Sequence, residues 1–224
     1  MKKGLKILFS ISIIVNVLFV SAVVVAKAKG INYATNIIRE ITATIINKKK
    51  VIFLGDSVTE QTNWDDLFKK SVVVNTAIGG NYTYKLLHDL DSISFNHTDK
   101  VFLMIGVNDL GRGENLDEIM RNYKSIVNRL IHMPSQFQLV IQSVLPINES
   151  MKETNFPDYK ASNENIIKLN KFLVELCEKE KLTYVDIHSH MIIANKQLNP
   201  NFTVDGVHLN KNGYQIWKKI LAKE

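Results

Sequence analysis

The sequence has a single cysteine among 224 residues, Cys177, so no intramolecular disulfide can form. Cys177 lies in the apolar helical pattern from Leu169 to Cys177, with nothing electropositive beside it to lower its pKa. It reads as a core residue rather than a nucleophile. Proline occurs four times and glycine ten times, and neither is concentrated anywhere. No internal repeat or low-complexity segment is present, which argues against a disordered or solenoid chain. The length suits one substantial domain and is too short for two comfortable ones.

A surplus of positive charge is missing from most of the chain. The formal net charge of +6 belongs to residues 1–50, where 9 Lys/Arg face one acid, Glu40, while the remaining 174 residues hold 19 Lys/Arg against 21 Asp/Glu. The body is slightly acidic and has no general attraction for phosphate backbones, so nucleic acid is not an expected partner.

Long apolar runs are absent except for one. After Met1-Lys2-Lys3-Gly4-Leu5-Lys6, an uncharged stretch extends from Ile7 to Ala26 and stops at Lys27. As a helix, these twenty residues would rise about 30 Å, the thickness of a bilayer's hydrocarbon core. Residues 1–28 are read as a membrane anchor, with a cleaved signal peptide as the competing reading because Ala26-Lys27-Ala28 has a small-x-small form. Either way Lys2, Lys3 and Lys6 stay cytoplasmic and the rest crosses. The expectation is a single-pass protein of the cell membrane with an extracytoplasmic body, or a secreted one if the segment is cleaved. Residues 29–50 form a linker in which Ile37, Ile38, Ile41 and Ile45 recur at helical spacing, so a short helix is expected there.

Residues 51–224 carry the body. Val51–Leu54, Val72–Val74, Val101–Ile105, Leu139–Ile141 and Tyr184–Ile187 are short, β-branched or aromatic runs without polar alternation, as in strands buried on both faces. Helix-length segments lie between them, at about 58–70, 82–92, 115–132, 162–181 and 209–222. This alternation predicts a parallel sheet of about five strands with helices on both sides, binding its ligand beyond the carboxyl ends of the strands. Polar, glycine-containing clusters stand at those ends: Gly55-Asp56-Ser57, Asn75 to Asn81, and Gly106-Val107-Asn108-Asp109. Asp205-Gly206-Val207-His208 precedes the last helix.

A serine hydroxyl needs a base to take its proton and a third group to orient that base. His208 can serve as base to Ser57. Asp205, three residues earlier on a turn entering a helix, can reach the other imidazole nitrogen. The Ser57 backbone N–H, the Gly80 N–H and the Asn108 amide can meet a developing oxyanion. Ser57 as a mere helix cap, and Gly79-Gly80 as a mere turn, are the plainer alternatives. Asp56 and Asp109 read as structural supports. His188-Ser189-His190 has a spacing found at zinc sites but lacks a third ligand, so no metal or other cofactor is expected. His88, His97 and His132 read as surface residues.

These four blocks, in this order, resemble those of the SGNH (GDSL) hydrolases, whose letters would fall here on Ser57, Gly80, Asn108 and His208. The resemblance spans about residues 50–222 and is most specific in Asp205 to Tyr214. It departs from the family pattern in having Val58 after the serine. It implies a three-layer α/β/α sandwich resembling flavodoxin. It also implies cleavage of carboxylic esters by Ser57, Asp205 and His208, with Ser57, Gly80 and Asn108 as the oxyanion hole. The α/β-hydrolase elbow, G-x-S-x-G, does not fit Gly55-Asp56-Ser57-Val58-Thr59. The extracytoplasmic location suggests O-acetyl groups on envelope glycans, or acyl lipid esters, as substrates. The same residues could run acyl transfer to a sugar hydroxyl, and a non-catalytic binding protein is a third reading. The segments Pro146–Tyr159 and Met191–Phe202 are expected to border the pocket.

Overall fold

The computed structural model describes Lys27 and residues 30–45 and 48–223. The apolar run Ile7–Ala26 lies outside the described residues, and among those residues no helix is long and apolar enough to cross a membrane. The linker helix forms as α1 (Ile31–Ile45).

Among the described residues five parallel strands make one sheet: β1 (Lys50–Gly55), β2 (Val72–Asn75), β3 (Thr98–Met104), β4 (Gln138–Gln142) and β5 (Thr183–Val185), in the order β2-β1-β3-β4-β5. The helices are α2 (Ser57–Glu60), α3 (Thr83–Asp89), α4 (Val107–Arg112), α5 (Leu116–Ile131), α6 (Glu149–Asn155), α7 (Asn163–Glu180) and α8 (Lys211–Leu221). Successive strand side chains point to opposite faces, and each face has its own core. Ile52, Leu54, Val101 and Leu103 meet Leu86 of α3, Tyr123 of α5 and Leu169 of α7. Val51, Phe53, Phe102 and Val140 meet Trp64 and, from α8, Tyr214 and Trp217. The arrangement is a three-layer α/β fold. Each fully buried large apolar side chain contributes roughly 1.5–3 kcal/mol relative to exposure.

The stretch expected to be helical over 58–70 is so only in part, as the single turn of α2 and a 3-10 turn at Asp65–Leu67. α2 stops after one turn because Trp64 turns inward, stacking on Phe53 at 4.5 Å and meeting Trp217 edge-on at 4.9 Å. Its indole N–H donates to the Thr59 carbonyl at 3.0 Å, using an acceptor at the helix end. Burying the largest apolar side chain in the segment outweighs continued helix. Two helices, α4 and α6, form where the sequence suggested loops.

The outer edge of β2 is covered by α1. The Arg39 guanidinium donates to the Val73 carbonyl at 2.9 Å and pairs with Asp65 at 2.7 Å, and the Asn36 amide donates to the Asn75 carbonyl. Residues 73 and 75 lie two apart, so their carbonyls point the same way, off the sheet edge. These bonds satisfy acceptors that would otherwise invite another strand. At the C-terminal half of α1, Glu40 holds the buried ammonium of Lys50 at 2.8 Å.

Candidate active site

Three strand ends and one late turn converge on a single rim. At the end of β1, Gly55 is packed so closely that an added Cβ would lie 2.5 Å from the Met104 carbonyl oxygen. The next residue, Asp56, is the cap of α2, its carboxylate accepting from the Val58 N–H at 3.0 Å. Ser57 is therefore not the cap. It opens the helix with its hydroxyl free for other work.

That hydroxyl lies 3.0 Å from His208 Nε2, and His208 Nδ1 lies 2.7 Å from Asp205 Oδ2. The carboxylate fixes the proton on Nδ1, which leaves Nε2 to accept from Ser57. The turn that brings Asp205 and His208 together is built from its own backbone. Asp205 Oδ1 accepts from the His208 N–H at 2.7 Å and the Val207 N–H at 2.9 Å. Thr203 Oγ1 donates to the His208 carbonyl at 2.7 Å and accepts from the Gly206 N–H at 2.9 Å. Gly206 has φ +95°, and a Cβ there would strike the Lys152 nitrogen at 2.5 Å and the Asn148 oxygen at 2.6 Å. Only glycine lets this turn dock on α6. Burial pushes the Asp205 carboxyl up, but the His208 and Val207 N–H groups and then the imidazole outweigh it and hold it below its usual value.

Besides Ser57 itself, the expected oxyanion donors lie in the loop after β2 and in the first turn of α4. Gly80 has φ +72° with nothing within 4 Å of an added Cβ, so its requirement is conformational rather than one of space. Gly79 differs: its Cβ would come 3.0 Å from Glu60 Oε2 and 3.9 Å from the Ser57 Cβ. Asn108, in the first turn of α4, donates one amide N–H to the Asn81 carbonyl at 2.9 Å. Asp109, buried, accepts from the Thr83 N–H at 3.0 Å and from the Thr83 hydroxyl, tying α4 to the start of α3. Burial raises the carboxyl pKa of both supports, Asp109 and Asp56, the latter to about 7.

Two aromatic residues of the segment Pro146–Tyr159 reach the site without having been singled out. The single Tyr159 hydroxyl proton is shared between the Val107 carbonyl at 2.8 Å and Asn108 Oδ1 at 3.2 Å, and the second contact helps orient the amide. Gly111 makes room for it, since a Cβ there would sit 1.9 Å from Tyr159 Cε2. The Phe156 ring meets His208 edge-on at 6.1 Å. Neither contact has a local signal, because each partner is some fifty residues away in sequence. Met191–Phe202, the other segment expected at the pocket, packs on the segment after β4, with Leu198 N–H donating to the Ile147 carbonyl at 3.0 Å.

Among the described residues no group of three or more His, Cys, Asp or Glu could hold a metal. His188 and His190 sit in a short turn, where burial lowers the His188 pKa. Cys177 is buried in the core, and burial pushes its thiol up to about 12. His88, His97 and His132 are exposed.

A hydroxyl, an imidazole and a carboxylate in relay, at the carboxyl rim of a parallel sheet, describe a hydrolase of the three-layer α/β class. The model of the GDSL-like lipase/acylhydrolase family matches residues 53–216, and the chain belongs to that family. Acyl hydrolysis is the chemistry this membership implies. A Streptococcus pneumoniae protein named for platelet activating factor superposes with a TM-score of 0.75 at 27% identity, over 96% of this chain and 97% of its own. A GDSL-like lipase from Bacteroides thetaiotaomicron gives 0.67 at 25% identity, over 83% of this chain and 95% of its own. The N-acylneuraminate cytidylyltransferase of Streptococcus agalactiae (serotype V) is 26% identical over 74% of this chain. The chain spans only 36% of that relative's length, so the relative's activity does not pass to it by name.

Proposed function

We propose that the protein hydrolyses carboxylic esters through an acyl-enzyme on Ser57, with His208 as general base and Asp205 as its orienting carboxylate. The observation that carries this reading is the relay itself, 3.0 Å from Ser57 Oγ to His208 Nε2 and 2.7 Å from Nδ1 to Asp205 Oδ2. His208 takes the hydroxyl proton as Ser57 attacks the ester carbonyl, and returns it to the departing alkoxide. Asp205 stabilises the imidazolium formed between these steps. Water, deprotonated by the same imidazole, then releases the acid. The tetrahedral oxyanion is met by the N–H groups of Ser57 and Gly80 and by the Asn108 amide N–H not engaged with Asn81. Each such donor is worth about 10²–10³ in turnover.

The substrates we propose are O-acetyl groups on envelope glycans or acyl lipid esters, met outside the cytoplasmic membrane. That placement rests on the apolar run Ile7–Ala26 and the lysines before it, which would anchor the chain or direct its secretion. The test is hydrolysis of nitrophenyl esters of graded acyl length by the wild-type protein beside Ser57→Ala. Activity that disappears in the variant is expected. Equal activity in both proteins would overturn the role of Ser57.

A further inference from the structure

A slot of about 470 Å³ lies between α1 and the edge of the sheet beside α3. Most of its wall surface is apolar, from Ile37 and Ile41 of α1, Val74 and Ala77 at the end of β2, and Leu86 and Ile93 of α3 and the turn after it, with polar groups such as Asn36, Glu60 and Asp89 between them. The volume falls within the range of small-molecule sites. The slot exists because α1 is fastened to the body by polar bonds. Asn36 and Arg39 hold the β2 edge and Glu40 holds Lys50. The flanking isoleucines are left lining open space, whereas apolar side chains in a finished core interdigitate without voids.

The position of the slot relates it to the reaction. Its upper end is formed by Ile78, which is 47% exposed, and by Asn81, so one wall is the loop that contains Gly79 and Gly80. In the sheet order, Ser57 stands at the end of β1, between the loop after β2 on one side and the turn 205–208 on the other. That turn is docked on the segment after β4. His208 must protonate the departing alkoxide, so the alcohol portion of an ester points toward His208. The acyl portion then points toward Ile78 and the slot.

The lining also restricts what can enter. No Lys or Arg is among the residues described around it, and each of its three carboxylates has a partner, Glu40 with Lys50 at 2.8 Å, Asp89 with Lys85, and Glu60 with the Asn32 amide at 3.4 Å. An anionic head group would find no counter-charge inside. We propose that this slot receives the hydrocarbon chain of a long-chain acyl ester, entering past Ile78. The proposal rests on the ester-hydrolase reading above and narrows its substrate class to acyl chains longer than acetyl.

The test compares kcat/KM for nitrophenyl decanoate and nitrophenyl acetate, using the full chain held in lipid nanodiscs. Filling the slot with Ile37→Trp should lower the decanoate-to-acetate ratio at least tenfold, mostly through KM. Enlarging it with Ile37→Ala should move the preferred acyl length upward. A ratio that stays within twofold in Ile37→Trp overturns the proposal. If Ile37→Trp is inactive on both esters, Ile37→Ala decides: an unmoved length preference overturns it. Failure of the catalytic reading is a separate result, namely a wild-type protein that cleaves neither ester. In that event a dansyl-labelled dodecyl probe should still bind the wild type about tenfold more tightly than Ile37→Trp, and equal binding overturns the slot.

Discussion

Replacing Asp205 by Asn tests the relay at its least conspicuous member. The two carboxylate oxygens have different jobs. Oδ1 accepts from the N–H groups of His208 and Val207, and Oδ2 faces Nδ1 at 2.7 Å. An asparagine keeps its oxygen on the two backbone donors, because turning the amide over would set N–H against N–H. Its NH₂ then takes the place of Oδ2 and donates to Nδ1. The imidazole proton is driven to Nε2, where it points at Ser57 Oγ instead of accepting from it. The base is lost without displacing the ring. In serine–histidine–aspartate sites a wrong tautomer of this kind costs on the order of 10⁴ in kcat, which is about 5 kcal/mol of transition-state stabilisation. The fold should be little affected, with a stability loss of about 1–2 kcal/mol from the weakened charge-assisted bonds. The assay is nitrophenyl acetate turnover beside thermal melting of both proteins. A loss of less than about tenfold in a variant that melts near the wild type would refute the reasoning.

Other outcomes follow from particular contacts. Tyr159→Phe removes the hydroxyl that orients the Asn108 amide; kcat should fall about tenfold with KM nearly unchanged, a fraction of the effect of losing a whole oxyanion donor. Gly80→Ala places a side chain at φ +72°, where left-handed backbone costs roughly 1–2 kcal/mol; turnover should fall while the melting temperature drops by only a few degrees, as paired kinetics and melting would show. Asp56 titrates near 7 when folded against an ordinary value of 3.8, so between these values the folded state holds the extra proton. Its contribution therefore falls as pH rises through that window, by up to about 4 kcal/mol. Urea unfolding at pH 5 and pH 8 should show this slope, and Asp56→Asn should flatten it. An identical slope in both proteins would count against the burial argument.

The inner strands were legible because burial on both faces leaves a continuous apolar run with no polar residue to confuse it, while in Tyr184–Ile187 Asp186 interrupts the run and β5 ends at Val185. Val101–Ile105 became β3 with only small shifts at its ends. The pairing of Asp205 with His208 was legible for a different reason: three residues on one turn is a local geometry. Failures came where distant residues decide. Nothing between Val58 and Lys70 announces that Trp64 will leave the helical path to stack on Phe53, eleven residues earlier. α4 escaped notice because six residues, Val107–Arg112, are too few to show a helical period. Tyr159 met Asn108 only because α6 and the segment after it fold back over the rim. The slot beside α1 depends on how a linker helix docks, and hydrophobic spacing in Ile31–Ile46 predicts a helix without saying which side stays uncovered.

A serine-directed fluorophosphonate offers the sharpest test of the proposed chemistry, because it reacts only with a hydroxyl whose proton is being withdrawn. The wild-type protein should gain one adduct by intact mass, mapped to the peptide containing Ser57. Ser57→Ala should gain none, and His208→Ala should be labelled at least a hundredfold more slowly. An adduct on another residue, or labelling of Ser57 at an unchanged rate without His208, would contradict the relay of Ser57, His208 and Asp205.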